Sequence, residues 1–216
     1  MQHPETAPRP FLPAAGRAWL LPLYDPFTRW LGVGALHGAL LEQASLARGH
    51  RLLDVGCGTG TLAVRVRREH PAVEVTALDP DPKALAIARR KAIRAGVTVR
   101  FEQGYGDALP FPDASFDRVT SSMMLHHLDL ETKRGLLRDA LRVLRPGGSF
   151  HLLDFAGDGH EHGFTALFHR AEHLREGDDA SIAALLRDAG FADVRRVGVR
   201  RLWIGRVAFH RAAKPE

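Results

Sequence analysis

The run Leu52-Leu53-Asp54-Val55-Gly56-Cys57-Gly58-Thr59-Gly60 constrains this chain more than any other stretch. It closes a segment of strand character, Arg51–Val55, and leads directly into a helical pattern at Thr61–Glu69. Glycines at 56, 58 and 60 permit positive φ and let backbone approach a ligand, while the first turn of the following helix points its unpaired N–H groups into the same space. Open α/β sheets hold ligands outside the carboxyl ends of their strands, so a strand, a glycine turn and a helix in this order predict a ligand here.

The pattern then repeats. Further strand candidates are Val73–Asp79, Val97–Phe101, Phe116–Ser121 and Ser149–Phe155, separated by helix candidates at Pro82–Ala95, stopped by Gly96, and Thr132–Leu144. In the last of these Leu137, Leu141 and Leu144 fall on one stripe, and Pro146-Gly147-Gly148 ends it. Strands alternating with helices imply βαβ units and a parallel sheet covered on both faces. A final helix, Ser181–Ala189, precedes Asp193–Val199 and Arg206–Ala212, a close pair that predicts a hairpin and hence an antiparallel strand. The expected fold is a doubly wound, mostly parallel, seven-stranded α/β sheet with an antiparallel C-terminal hairpin strand and an N-terminal helical cap.

Residues 1–13 carry Pro4, Pro8, Pro10 and Pro13 and read as a flexible arm. The remainder, 14–216, reads as one domain: a cap over 14–48 with interrupted helical patterns and Leu31, Ala35, Leu36 and Leu40 at helical spacing, a ligand-binding core over 49–155, a lid over 156–180, and a C-terminal helix and strands over 181–216. No apolar run approaches the roughly 20 residues of a membrane span, and the first residues lack a secretory signal, so a cytoplasmic protein is expected. Cys57 is the only cysteine and has no internal partner. The formal charge of +5 invites a nucleic-acid reading, but the arginines are scattered rather than gathered into a stripe, so a nucleic-acid partner is not expected.

The glycine turn discriminates between ligand classes. Dinucleotides prefer G-x-G-x-x-G, whereas Gly60 comes one position too early, and the lysine of a phosphate-binding P-loop is missing. Asp54 would repel a pyrophosphate but suits an ammonium group, such as that of the methionine part of S-adenosylmethionine. Asp79, at the end of the next strand, is placed to take both ribose hydroxyls, with Pro80 as an apolar edge for adenine and Asp81 left to cap the following helix. In Gly106-Asp107-Ala108-Leu109, Asp107 can accept from an adenine amino group while Leu109 packs on the ring.

These segments, with Phe111-Pro112-Asp113-Ala114-Ser115-Phe116-Asp117, His126-His127-Leu128 and Leu144-Arg145-Pro146-Gly147-Gly148, resemble the class I methyltransferases, and most of all the branch that includes the ubiquinone/menaquinone-biosynthesis enzymes. The resemblance covers about Gly49 to Phe155. It implies S-adenosyl-L-methionine as cofactor, held at the methionine part by the glycine turn, at the ribose by Asp79 and at the adenine end by Asp107. The full candidate set is Asp54, Gly56, Cys57, Gly58, Gly60, Asp79, Pro80, Asp107, Ala108 and Ser121, with a small-molecule acceptor and a monomer or homodimer expected.

Methyl transfer from a sulfonium needs no covalent nucleophile, only an acceptor held in line. An oxygen or acidic-carbon acceptor gains from a base, for which His126, His127 and Tyr24 are candidates, each with simple packing as the alternative. His160, His162, His169 and His173 cluster with Glu161 and Glu172, and His169-Arg170-Ala171-Glu172-His173 spells a zinc-peptidase motif, but without a suitably placed third ligand no metal is expected. RNA or protein methylation, cofactor binding without turnover, and a nicotinamide enzyme are the competing readings.

Overall fold

A computed structural model describes residues 32–156, 179–202 and 205–216. In chain order they form α1 (Val33–Ala44), β1 (Arg51–Val55), α2 (Thr61–Glu69), β2 (Glu74–Asp79), α3 (Pro82–Arg94), β3 (Arg100–Gln103), β4 (Phe116–Ser122), a 3-10 turn (Leu125–His127), α4 (Leu130–Val143), β5 (Leu144–Phe155), α5 (Asp179–Asp188), β6 (Ala192–Leu202) and β7 (Gly205–Ala213). The seven strands share one sheet in the order β3-β2-β1-β4-β5-β7-β6. β1 to β5 pair in parallel, and β7 runs antiparallel to both β5 and β6. The expected doubly wound sheet is therefore present, with its antiparallel strand inserted one place inside the edge.

Apolar side chains leave both faces of the sheet. Leu53, Val55, Phe150 and Leu152 pack with Leu136, Leu137 and Ala140 of α4 and Leu186 of α5. Leu52, Val75 and Leu153 pack on the other side with Leu36 and Leu40 of α1 and Leu62 and Val66 of α2. Four of the five β1 residues are buried, as expected of a strand covered on both faces, and Asp54 is the one ionisable residue among the four. Among the described residues no helix is long and apolar enough to cross a membrane.

Several boundaries differ from expectation for identifiable reasons. Val97 was expected to start β3, but it belongs to the end of α3. Gly96, at φ 65°, donates to the carbonyl of Ile93, and Val97 donates to that of Ala92. This is a Schellman cap, and it delays the strand to Arg100. The same pair of bonds, Gly190 to Arg187 and Phe191 to Leu186, closes α5. α4 stops at Val143 because Leu144 is already extended and pairs with Phe116, so β5 begins before Pro146 and crosses the Pro-Gly-Gly segment with a register shift. The buried stripe of α4 is correspondingly Leu136, Leu137, Ala140 and Val143, with Leu141 only partly buried. In α1 the exposed Ala35 is replaced on the inner face by His37.

Gly60 shows why the turn after β1 tolerates one residue type. Its φ is 73°, and a Cβ there would lie 2.7 Å from the Ala88 Cβ of α3. Gly60→Ala combines that overlap with a left-handed backbone, and we expect it to cost about 2–4 kcal/mol in urea unfolding. A loss under 0.5 kcal/mol would mean that α3 yields freely at this contact.

Candidate active site

The carboxyl ends of β1, β2, β4 and β5 meet at the glycine turn. Gly56 and Cys57 donate their backbone N–H groups to the Leu78 carbonyl at 2.8 and 3.1 Å, which fastens the turn to the end of β2. Asp79 completes the attachment. One of its oxygens accepts from the Gly58 amide at 2.8 Å and the other from the Asp81 amide at 2.9 Å. Burial raises its pKa above the usual carboxylate range, against the effect of these two amides. Asp81 in turn accepts from the Lys83 amide at 2.8 Å, so it caps α3 as expected and leaves Asp79 to the turn. Lys91 of α3 reaches Thr59 and Thr61 at 3.2 and 2.6 Å and braces the start of α2.

Asp54 lies at the next-to-last position of β1 and is 2% exposed. One oxygen accepts from the Thr120 hydroxyl at 3.0 Å, and Oδ2 has no partner among the described residues. Burial, followed by the charge of Asp79, pushes its pKa up to about 7. A buried carboxylate with an open oxygen beside a glycine turn is complementary to a cation bearing N–H donors, the chemistry of an amino-acid ammonium group. The donor set of the turn therefore fits the methionine end of the expected cofactor.

The remaining candidates occupy the same edge. Ser121 is fully buried opposite Val55, with a hydroxyl that lacks a partner among the described residues. Cys57 is partly buried, and burial pushes its thiol pKa well up, so it is a packing group rather than a nucleophile. Pro80 is half-buried after β2, while Ala108 is exposed. Asp107 sits against α4, where a Cβ on Gly135 would lie 3.0 Å from its own Cβ. Tyr24 and His160 to His173 lie outside the described residues.

One group was missed by sequence reasoning. After β4, Met123 adopts a left-handed φ of 55° with its amide on the Leu153 carbonyl at 2.7 Å, and this bend sets Met124 against Gly56. Two residues later, His126 Nδ1 lies 2.5 Å from Asp154 Oδ1, and its amide donates to the other Asp154 oxygen at 3.2 Å. The Asp154 side chain is 5% exposed and that of His126 is 10% exposed. Despite full burial the Asp154 carboxyl is held below its ordinary range, by the His126 charge and hydrogen bond and by the Phe155 amide. The ring of His127 lies against that of His126 with centroids 4.0 Å apart at a tilt of 41°, and the ring of Phe155 meets His126 edge-on at 4.9 Å, so the imidazole is clamped. The only hint in the sequence was an acidic residue inside the apolar run Phe150–Phe155, where an unpaired carboxylate would be costly.

Comparison with known proteins adds relatives to this geometry. A family model described as "Methyltransferase domain" matches residues 52–148. The chain is 31% identical to a ubiquinone/menaquinone biosynthesis C-methyltransferase of Pseudomonas putida over 201 residues, spanning 81% of this chain and 77% of that one. It is 38% identical to a demethylmenaquinone methyltransferase of Deinococcus radiodurans over 141 residues, 64% of this chain and 58% of that one. Among solved structures, the S-adenosylmethionine-dependent methyltransferase SibL superposes with a TM-score of 0.69 at 28% identity, covering 90% of this chain and 58% of the other. The chain spans 55 to 62% of the length of three of the curated relatives it matches.

Proposed function

The chain belongs to the class I S-adenosylmethionine-dependent methyltransferases, and from that premise we propose that it transfers a methyl group to a small molecule carrying an acidic hydroxyl on a ring of the quinol class. The observation that carries the reading is the buried Asp54 carboxylate, whose open Oδ2 stands beside the glycine turn. In this reading Asp54, Gly56, Cys57, Gly58 and Gly60 hold the methionine end, Asp79 and Pro80 take the ribose and the adenine edge, Asp107 and Ala108 face the adenine, and Ser121 lines the floor. Bound there, S-adenosylmethionine supplies a methyl carbon already activated by its sulfonium.

The chain's own residues then orient the acceptor and manage one proton. Asp154 accepts from His126 Nδ1–H, which orients the ring, and in the neutral form of the imidazole the basic nitrogen is then Nε2. That nitrogen removes the hydroxyl proton of the acceptor, and the resulting oxyanion raises electron density on the oxygen and on the ring carbon beside it. Met124, packed on Gly56, ties this base to the edge that holds the methyl donor. Burial of the dyad keeps water from competing for the methyl group.

The test is incubation of the chain with methyl-labelled S-adenosylmethionine and a panel of hydroxylated naphthalenes and benzenes. Label is expected in the small-molecule fraction, with the product spectrum assigning it to oxygen or carbon. Label in added RNA or protein instead, or none at all with cofactor still bound, would reject the reading. Asp79→Ala, which removes the acceptor of the Gly58 amide, is expected to weaken cofactor binding by about 1–3 kcal/mol in calorimetry. Unchanged affinity would remove Asp79 from the ribose assignment.

A further inference from the structure

His37 is a buried polar group that neither the glycine turn nor the His126–Asp154 pair employs. It lies on the inner stripe of α1 with Leu36 and Leu40 and is 6% exposed. Its Nε2 stands 3.2 Å from the Ser122 hydroxyl, while Nδ1 is buried and has no hydrogen-bond partner among the described residues. Ser122 ends β4 two positions after Thr120, the residue bonded to Asp54, so His37 sits on the face of the sheet that carries Asp54 and farther toward the strand ends. Ser122 is in register with Leu153, one residue before Asp154.

The ring is neutral at neutral pH, because burial, then the charges of Arg65 and Lys91, push its pKa down to about 4. Arg65 lies along α1 beside it, donating to the Gly34 carbonyl, and a Cβ on Gly38 would lie 3.2 Å from one of its nitrogens. The Ser122 hydroxyl can donate to Nε2 or accept from it, so Nδ1 is an acceptor in one tautomer and a donor in the other. The candidate ligand groups differ in what they demand of that atom. An ammonium needs the acceptor form and meets repulsion from Arg65 and Lys91. A carboxylate needs the donor form, and the charge of Arg65 is already engaged by Glu69 at 2.7 Å. A hydroxyl satisfies either tautomer and brings no charge into a buried place.

The surroundings are those of a ring-binding wall. Cys57, Met123, Phe155 and Leu202 are partly buried and pack on the apolar cluster that Leu36 and Leu40 enter. They come from the turn after β1 and from the ends of β4, β5 and β6, so they gather at the carboxyl edge beside α1. A Cβ on Gly205 would lie 3.9 Å from Phe155 Cδ1, which brings the β6–β7 turn to the same ring. Phe155 also meets His126 edge-on at 4.9 Å. One apolar wall therefore leads from the face that holds His37 to the base, with the cofactor turn beside it at Cys57.

Taking the acceptor to be of the quinol class, the premise on which this step rests, we propose that His37 Nδ1 binds the second ring hydroxyl of the acceptor, the one His126 does not deprotonate, and so selects 1,4-dihydroxy rings over monohydroxy ones. One hydroxyl gives its proton to His126 and the other is held at His37, which fixes the ring between the 3-10 turn and α1. A monohydroxy ring would leave Nδ1 buried and unpaired, and that unmade bond is the source of the discrimination.

Equilibrium dialysis of the full chain loaded with S-adenosylhomocysteine, under nitrogen, against 1,4-dihydroxynaphthalene and against 1-naphthol reads the preference. The wild type is expected to bind the dihydroxy compound about tenfold or more tightly. His37→Phe keeps a buried ring and removes both nitrogens, and should bring the ratio below about twofold. Asparagine places an amide near the position of Nδ1 and glutamine near that of Nε2. His37→Asn should therefore keep a preference of about three- to tenfold and His37→Gln should lose it, a split that packing alone would not produce. Affinity for S-adenosylhomocysteine should change less than about twofold in variants whose melting shows them folded. An undiminished preference in folded His37→Phe, equal binding of both compounds by the wild type, or a loss of S-adenosylhomocysteine affinity of about tenfold in His37→Phe, which would place the ring on the cofactor, each overturns the assignment and leaves the acceptor class standing. Binding of neither compound to the loaded wild type overturns the acceptor class, and the assignment with it.

Discussion

Asp54→Asn is expected to lower the affinity for S-adenosylmethionine about 10- to 100-fold at pH 8 while raising the melting temperature of the ligand-free protein. The two effects have one cause. The wild-type carboxylate is buried with one oxygen unmatched among the described residues, and burial pushes its pKa up to about 7 against an ordinary value of 3.8. The folded state therefore binds this proton more tightly than the unfolded state. Stability referred to this group is highest below the unfolded value, declines as pH rises toward 7, and stays reduced above it. Asparagine keeps the shape and the bond from Thr120 but carries no charge to desolvate, so the gain in melting temperature should shrink as pH falls from 7 to 4. Loss of the charged partner for an ammonium group gives the affinity change. In the wild type the ligand must displace the Asp54 proton below pH 7, so affinity should fall by about tenfold per pH unit there, and that slope should vanish in the variant. Equal affinities of the two proteins at pH 8 would remove the ammonium from this position.

The second large effect concerns the base. His126→Asn is expected to reduce kcat by about 10²- to 10⁴-fold with little change in S-adenosylmethionine affinity, because the substitution removes the basic imidazole while leaving an amide for Asp154. Asparagine is the informative variant. Alanine would leave the Asp154 carboxylate buried without the group that holds its pKa down, and uncompensated buried charge costs about 3–5 kcal/mol. Asp154→Asn should reduce kcat too, by releasing the tautomer of His126 rather than by touching the acceptor. The discriminating measurement uses an acceptor whose hydroxyl is already ionised at the assay pH. The His126→Asn deficit should narrow markedly with it, since no proton remains to be removed. A deficit of the same size with both acceptors would assign His126 to packing.

The parts of the fold that could be read from the sequence were those governed by short-range chemistry. Asp54 and Asp79 lie near the ends of neighbouring strands, with the three glycines in the turn after β1, and these placements follow from local backbone geometry and the order of elements. The helix ends were read less well because a glycine marks a stop without saying how many residues the stop consumes; at Gly96 the cap also absorbs Val97. The α4–β5 boundary moved because Leu144 satisfies a helical stripe and a strand pairing equally, and Phe116, a distant residue, decides between them. The Asp154–His126 pair and the bond between Gln43 and His151 were invisible for a stronger reason. The first spans 28 residues and is made by the parallel pairing of β4 with β5, and the second spans 108 and is made by the packing of α1 on β5. Lys133, 1% exposed on the inner side of α4, has no explanation in the sequence pattern.

The order β5-β7-β6 has a consequence for how the molecule assembles. β6 is made before β7, yet among the described residues its one neighbouring strand is β7. During synthesis the earlier strand therefore has α5 to pack on but no strand to pair with until the later one is made, after which the hairpin can join β5 as a unit. Until then the β5 edge, with Phe150, Leu152 and Leu153, stays open to pairing with a second nascent chain, and the interval between translation of Leu202 and of Ala213 is the window in which crowded ribosomes would produce swapped aggregates.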